Sequence, residues 1–362
     1  MGATSILVVN PGSTSTKVGH HACNEWRWQQ VVEHPLPELA ALETRGQQLQ
    51  YRKRVLQLLL SQQQLDLSQL TCIVARGGLL RPTKSGVYVV DELMVSDLTE
   101  GYAGDHPANL GGLLALGLAG PLGIPAYVVD PPSVDEFWPV SRLSGLPEIP
   151  RRSLLHALSL RAAARRACED NGWNYPTVNL VVVHLGGGIS VSAHYQGRIV
   201  DVNNANEQGP FSPQRCGGLP ARSLVRWCFS GAQTEKQILD RMLRRGGMYA
   251  YLGTGDGREI AGRMSAGDDE ARLVVEAMAY QVAKEIGGMA AALGGDIQAI
   301  VITGRLAQLE PLSEGIRSRT EFIAPVTFYP TDLEMDALVQ GALRVVNGLE
   351  EPRQYAVEVE GL

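Results

Sequence analysis

The chain has 362 residues, 44% apolar and 19% charged, with 40 glycines and a formal net charge of −6. The length suggests about two domains, and the glycines follow no Gly-X-Y period, which excludes collagen and implies many tight turns. The acidic balance and 6% aromatics argue against a nucleic-acid or membrane-surface protein, while a local basic pocket for a small anion remains open.

In chain order, Met1–Asn10 has no basic region and no long apolar stretch, so no secretory signal is expected. Ile6–Asn10 reads as a buried strand. The turn Pro11-Gly12-Ser13-Thr14-Ser15-Thr16 and a second strand from Lys17 follow it. A Leu/Gln/Arg pattern predicts a helix over 47–63, and Thr71–Ala75 is a strand ending in Arg76-Gly77-Gly78. Ala108–Val129 carries no charge. Its glycines and prolines break it into a helix (107–119), a turn and a strand (124–129), so a membrane span is not expected. The leucine-rich stretches 52–60 and 113–118 read as core.

A strand at Ala126–Asp130 precedes Pro131-Pro132. Pro150 is expected to open a helix (152–170) that stops at Asn171-Gly172. Leu180–Leu185, the turn Gly186-Gly187-Gly188, Ile189–His194 and Arg198–Val202 then repeat the strand-turn-strand opening of the chain. A helix (268–293), a strand Ala299–Thr303 ending at Gly304, and a helix (333–347) complete it. The weak symmetry suggests two similar α/β domains joined near residue 150. The cysteines, Cys23, Cys72, Cys168, Cys216 and Cys228, form no C-x-x-C pair and are odd in number. They read as free thiols of a cytoplasmic protein.

No P-loop and no strand-to-helix G-x-G-x-x-G is present. Instead, Asn10-Pro-Gly-Ser-Thr-Ser-Thr-Lys17 lies between two strands. Its small residues let backbone N–H groups approach an anion, and Lys17 adds a point charge. The turn His184-Leu-Gly-Gly-Gly188 has the same form. Each could equally be an ordinary turn or bulge. Two such hairpins, one per half, resemble the actin-like ATPase and sugar kinase superfold, which implies an α/β fold of two ribonuclease-H-like domains, 1–152 plus 333–362 and 153–332, the second nucleotide-binding, with a nucleotide cleft between them.

More specific strings carry a closer resemblance. They are ILVVNPGSTSTK (6–17), RGGLLRP (76–82), DHPANLGG (105–112), the long block YVVDPPSVDEFWPVSRLSGLPEIPRRSLLHA (127–157), VVVHLGGGISVSAHYQGRIVDVNN (181–204), GPFSPQRCGGLP (209–220), AYLGTGD (250–256), AMAYQVAKEI (277–286) and GALRVV (341–346). In these the chain resembles the acetate kinase family of carboxylate phosphotransferases, and within it the butyrate kinases. The resemblance implies phosphoryl transfer between ATP and a short carboxylic acid, with Mg²⁺, in a homodimer or higher homo-oligomer. It makes Asp130, His156 and Arg215 the catalytic residues. Nucleotide would be held by Asn10, Gly12, Ser13, Ser15, Lys17, His184, Gly186, Gly187, Gly188, Gly304 and Arg305. Arg76 would contact the acid, and Asn10, Asp130 and Glu334 the metal.

Structural alternatives stand beside these roles. Asp130 could be a turn residue before Pro131. His156, among Leu154, Leu155 and Leu158, could be a half-buried helix histidine. Glu334, three residues after Thr331, has capping-box spacing. Two departures concern the nucleotide: Arg305 stands where the family usually has a second glycine, and Gly255 where it usually has asparagine. Other readings are a kinase for acetate, propionate or a branched acid such as isobutyrate, or a non-catalytic actin-like ATP-binding protein.

Overall fold

A computed structural model describes residues 4–360. The chain forms two compact units. The first runs to Val134 and resumes at Glu334; the second is Asp135–Leu333.

In the first unit, β1 (Ser5–Pro11), β2 (Ser15–Ala22) and β3 (Glu25–Glu33) form an antiparallel meander. β4 (Cys72–Arg76) joins β1 in parallel, and β6 (Ala126–Val129) joins β4 in parallel. With β5 (Val87–Val89) and β12 (Arg353–Gln354), the sheet order is β12-β5-β6-β4-β1-β2-β3. β1 is buried throughout, as its unbroken apolar run requires of a central strand. The helices are α1 (Leu36–Ala40), α2 (Arg45–Gln62), α3 (Glu92–Glu100), α4 (Asn109–Ala119), α12 (Glu334–Val346) and α13 (Tyr355–Glu360). A capping box of Thr44 and Gln47 starts α2. α12 packs on β1, β4 and β6. A Cβ on its Gly341 would lie 2.7 Å from a Val129 methyl, so glycine permits this approach.

The second unit repeats the core plan. β7 (Asn179–Leu185), β8 (Ile189–Tyr195) and β9 (Arg198–Val202) form a meander. β10 (Ala299–Thr303) and β11 (Val326–Tyr329) extend it in parallel, in the order β11-β10-β7-β8-β9. This matches the β6-β4-β1-β2-β3 portion of the first sheet, as the strand-turn-strand repeat predicts. α5 (Ala157–Asn171) packs on β7 and β10. Four short helices, α6 (Ala221–Cys228), α7 (Glu235–Leu243), α8 (Gly247–Leu252) and α9 (Gly257–Ser265), precede α10 (Asp269–Ala292) and α11 (Glu310–Thr320).

Two expectations change. The first unit ends at Val134, not 152. Residues 135–152 are tied to the second unit: the Trp138 N–H donates to the Val200 carbonyl at 3.1 Å, and Arg151 pairs with Asp201 at 2.9 Å. For the same reason α5 begins at Ala157 rather than at 152. Arg151 donates to the Ser141 and Val202 carbonyls, at 2.8 and 3.0 Å, and this anchorage holds the chain out of helical form. His156 therefore stands just before the helix. Among the described residues no helix is long and apolar enough to cross a membrane, and the five cysteines are unpaired thiols.

Candidate active site

In the first unit, β1, β4 and β6 are adjacent and parallel. Their C-terminal ends deliver Asn10, Arg76 and Asp130 to one edge of the sheet, the edge where open α/β sheets place their ligands. Asn10 is buried, and its Nδ2 donates to Glu334 Oε2 at 2.8 Å. Arg76 forms an ion pair with the same carboxylate at 3.2 Å. Glu334 is the first residue of α12, not the third, so its side chain serves this cluster and not a capping box.

Asp130 lies just past β6 and is 5% exposed. Its φ is +40°, a left-handed conformation that costs a residue with a side chain free energy. Two bonds to Gly86 hold it there. Asp130 Oδ1 accepts from the Gly86 N–H at 2.8 Å, and the Asp130 N–H donates to the Gly86 carbonyl at 3.0 Å. The carboxylate is thus buried and held at the strand end in a strained conformation.

The first hairpin closes through the Gly12 N–H to the Ser15 carbonyl, 2.8 Å, and Lys17 stands opposite Asn10 across the β1–β2 pair. Gly12, Ser13 and Ser15 occupy its turn. Among the described residues no three metal-ligating side chains converge. One or two carboxylates with a neighbouring amide suit Mg²⁺, which keeps most of its waters and takes phosphate oxygens as ligands.

In the second unit, the turn after β7 gathers the remaining candidates. The rings of His156 and His184 stack with centroids 4.3 Å apart and planes at 22°. A Cβ on Gly188 would lie 2.5 Å from Arg215 Nη1 and 3.2 Å from His156 Cε1, and one on Gly186 would lie 2.6 Å from His184 Nε2. The glycines thus let the backbone sit directly against two imidazoles and a guanidinium, an arrangement suited to polyanionic oxygens. Arg215 Nη1 also donates to the Ala205 carbonyl at 3.2 Å. Gly304, at the end of β10, has φ +100°, and a Cβ there would overlap the Leu185 carbonyl. Arg305 is exposed and opens a single 3₁₀ turn. Gly255 sits close to the Pro213 carbonyl, 3.1 Å from where its Cβ would be, so an asparagine would crowd the 212–215 loop.

Two supporting serines escape sequence reasoning. Ser212 Oγ donates to the Gly187 carbonyl at 2.7 Å and accepts from the Arg215 N–H at 3.1 Å, tying the arginine loop to the glycine turn. Ser190 Oγ lies 2.9 Å from His156 Nδ1 and 3.4 Å from the His156 backbone N–H, which donates to it. Ser190 is fully buried, so this contact fixes the orientation of the His156 ring. The only sequence signal for either serine is its closeness to a glycine turn.

Known proteins resemble the chain over nearly its whole length. A profile of the acetokinase family matches residues 149–316. Over 350 residues the chain is 47% identical to a protein of Caldanaerobacter subterraneus subsp. tengcongensis named "Probable butyrate kinase 2", covering 97% of this chain and 99% of that one. A Clostridium botulinum protein named "Probable butyrate kinase" is 43% identical over 351 residues, with the same two coverages. Among solved structures, the acetate kinase of Porphyromonas gingivalis superposes with a TM-score of 0.77 at 19% identity, over 95% of this chain and all of that one. A propionate kinase from Francisella tularensis superposes with a TM-score of 0.74 at 16% identity, over 92% and 98%. At these identities the superpositions speak for the fold alone, an α/β architecture of two units shared with those structures.

Proposed function

The chain belongs to the acetate kinase family, in its butyrate kinase branch, and from that premise we propose that it catalyses ATP + butyrate ⇌ ADP + butyryl phosphate. The observation that carries this reading at the level of geometry is the cluster of His156, His184 and Arg215 against the Gly186–Gly188 turn. It concentrates hydrogen-bond donors and positive charge where a phosphoryl group would be transferred.

The reaction joins a butyrate oxygen to the γ-phosphorus and breaks the bond to the β–γ bridging oxygen. Butyrate is already ionised at neutral pH, so no proton is removed and no general base is required. The obstacle is an anion approaching a polyanion, and catalysis is positioning plus charge stabilisation. Arg215 meets the equatorial oxygens of the moving phosphoryl group, its fork suited to two at once. His156 faces the transferring group in the orientation that Ser190 fixes. Lys17 and the amides of the first hairpin are suited to phosphate oxygens, and so, within the second unit, is the His184 turn. Arg76 receives the substrate carboxylate. Bound with the nucleotide, Mg²⁺ would neutralise phosphate charge; Asn10, Asp130 and Glu334 are the residues that would hold it through water.

Hydroxylamine trapping tests the proposal, since an acyl phosphate is converted to a hydroxamate that forms a coloured complex with iron(III). With ATP and Mg²⁺, butyrate should give the highest kcat/KM among acetate, propionate, butyrate and isobutyrate. A preference for another acid would reassign the substrate. Failure to form any hydroxamate would leave a nucleotide-binding protein without carboxylate kinase activity.

A further inference from the structure

Beneath the first hairpin lies a cation that the leucine pattern of α2 conceals. Arg52 is 1% exposed, on the helix face that also buries Leu56, Leu59 and Leu60. Its Nη1 donates to the Ser15 carbonyl at 3.0 Å and to Thr16 Oγ1 at 2.9 Å, and its Nη2 donates to the Ser13 carbonyl at 2.9 Å. His34 completes the brace. Its backbone N–H donates to the Thr14 carbonyl at 2.7 Å, and its ring Nε2 lies 2.8 Å from Thr16 Oγ1.

Three consecutive carbonyls of the turn are therefore taken up from within the fold. In a trans peptide the N–H points opposite to the carbonyl, and no cis peptide occurs among the described residues. The amides of Thr14 and Ser15 are accordingly turned away from the groups that hold the Ser13 and Thr14 carbonyls, while Thr16 pairs with Val32 in the β2–β3 ladder. Hydrogen bonds from a guanidinium also polarise the peptides they reach, which makes those amides stronger donors.

The charge itself lacks a counter-ion. Among the described residues Arg52 bonds to two carbonyls and a hydroxyl, and to no carboxylate. Burial disfavours its charged form. His34 adds no charge: burial, and then Arg52 itself, hold its pKa down to about 4. A buried charge without an opposite partner is costly unless something compensates it.

We propose that Arg52 is a positioning residue for nucleotide: it sets the 12–16 turn as a phosphate cradle, and its charge is countered by the polyphosphate that the cradle receives. The proposal rests on the reading of this hairpin as phosphate-binding. Arginine suits the task because one planar fork can hold carbonyls two residues apart, which an ammonium cannot.

Calorimetric titration with ATP, and separately with adenosine, tests it on Arg52→Met, Arg52→Lys and Lys17→Ala. Arg52→Met should weaken ATP binding by about tenfold or more while adenosine binding and the KM for the acid stay within about twofold. The rise in Tm on saturation with ATP should shrink in step. Arg52→Lys should recover only part of the loss. If ATP affinity falls in Lys17→Ala but not in the Arg52 variants, the hairpin binds phosphate and Arg52 only packs, which overturns the proposal. If no variant changes ATP affinity, the hairpin reading falls and the proposal with it. Should Arg52→Met fail to fold, Arg52→Lys is judged alike, and an unchanged ATP Kd there overturns the role.

Discussion

Asn10 and Glu334 are 324 positions apart in the chain and share a hydrogen bond of 2.8 Å between Nδ2 and Oε2. The carboxylate that also pairs with Arg76 thus comes from beyond the whole second unit. Glu334→Gln keeps the shape and removes the charge. We expect the Mg²⁺ concentration for half-maximal velocity to rise about tenfold, as loss of a carboxylate near a hard cation predicts. Velocity titrated against Mg²⁺ checks this. An unchanged Mg²⁺ dependence with a raised KM for butyrate would mean that Glu334 acts by aiming Arg76.

Asp130 combines a strained backbone with a proposed metal role, and two substitutions separate them. Asn tolerates the left-handed region and can still accept from the Gly86 N–H. Asp130→Asn should therefore keep its Tm and lose about 100-fold or more in kcat. Asp130→Ala should lose activity and also about 1–3 kcal/mol of stability, because the buried Gly86 N–H loses its acceptor. Full turnover in Asp130→Asn with saturating Mg²⁺ would reduce the residue to a turn former.

The contact between Gly188 and Arg215 predicts a graded series. Arg215→Ala should lower kcat by roughly 10³–10⁵, by analogy with arginine fingers, and lysine should restore little. Gly188→Ala adds a methyl 2.5 Å from Nη1. The guanidinium would have to move aside while the fold persists, for an expected loss of about 100-fold in kcat. Single-turnover measurement with saturating substrates isolates that step. A loss confined to the KM for the acid in Arg215→Ala would exchange its role with that of Arg76.

His194 supplies a pH prediction. It is fully buried between Tyr175 and Ser192, and burial, with Arg161 adding to it, lowers its pKa from 6.5 to about 3. The unfolded chain binds a proton below pH 6.5 that the folded protein refuses until near pH 3. Stability is therefore lost as pH falls through that interval, by up to about 1.4 kcal/mol per pH unit for this one group. Urea unfolding between pH 6 and 4.5 should show a slope smaller by that amount in His194→Gln, whatever its absolute stability. An unchanged slope would mean that His194 titrates alike in both states.

Central strands and long helices were legible because their composition follows their burial. Ile6–Val9, Leu180–Val183 and Ala299–Ile302 are unbroken apolar runs and prove to lie in interior strands. β3 was invisible: Glu25–Glu33 mixes Trp and Val with Glu, Arg and Gln because it lies at the sheet edge and is largely exposed. The chain crossing at 134/135 was hidden because Arg151, which holds the preceding loop to the second unit, looks like any surface arginine. Arg52 was readable in principle, since it keeps phase with Leu56 and Leu59. A cation on a core face still carries no sign of which carbonyls it will meet. His156, His184, Glu334 and Arg215 were found through motif resemblance, whereas Ser190 and Ser212 emerge only from three-dimensional contacts.

The helix that covers β1, β4 and β6 belongs to the last tenth of the chain, after about 200 residues of the second unit. During synthesis, at about 5–20 residues per second, that interval lasts roughly 10–40 s. Throughout it the first strands made keep an uncovered apolar face, while the second unit, continuous in sequence, can complete itself. The N-terminal unit is thus begun first and closed last, which makes it the part of a nascent chain most dependent on protection from aggregation.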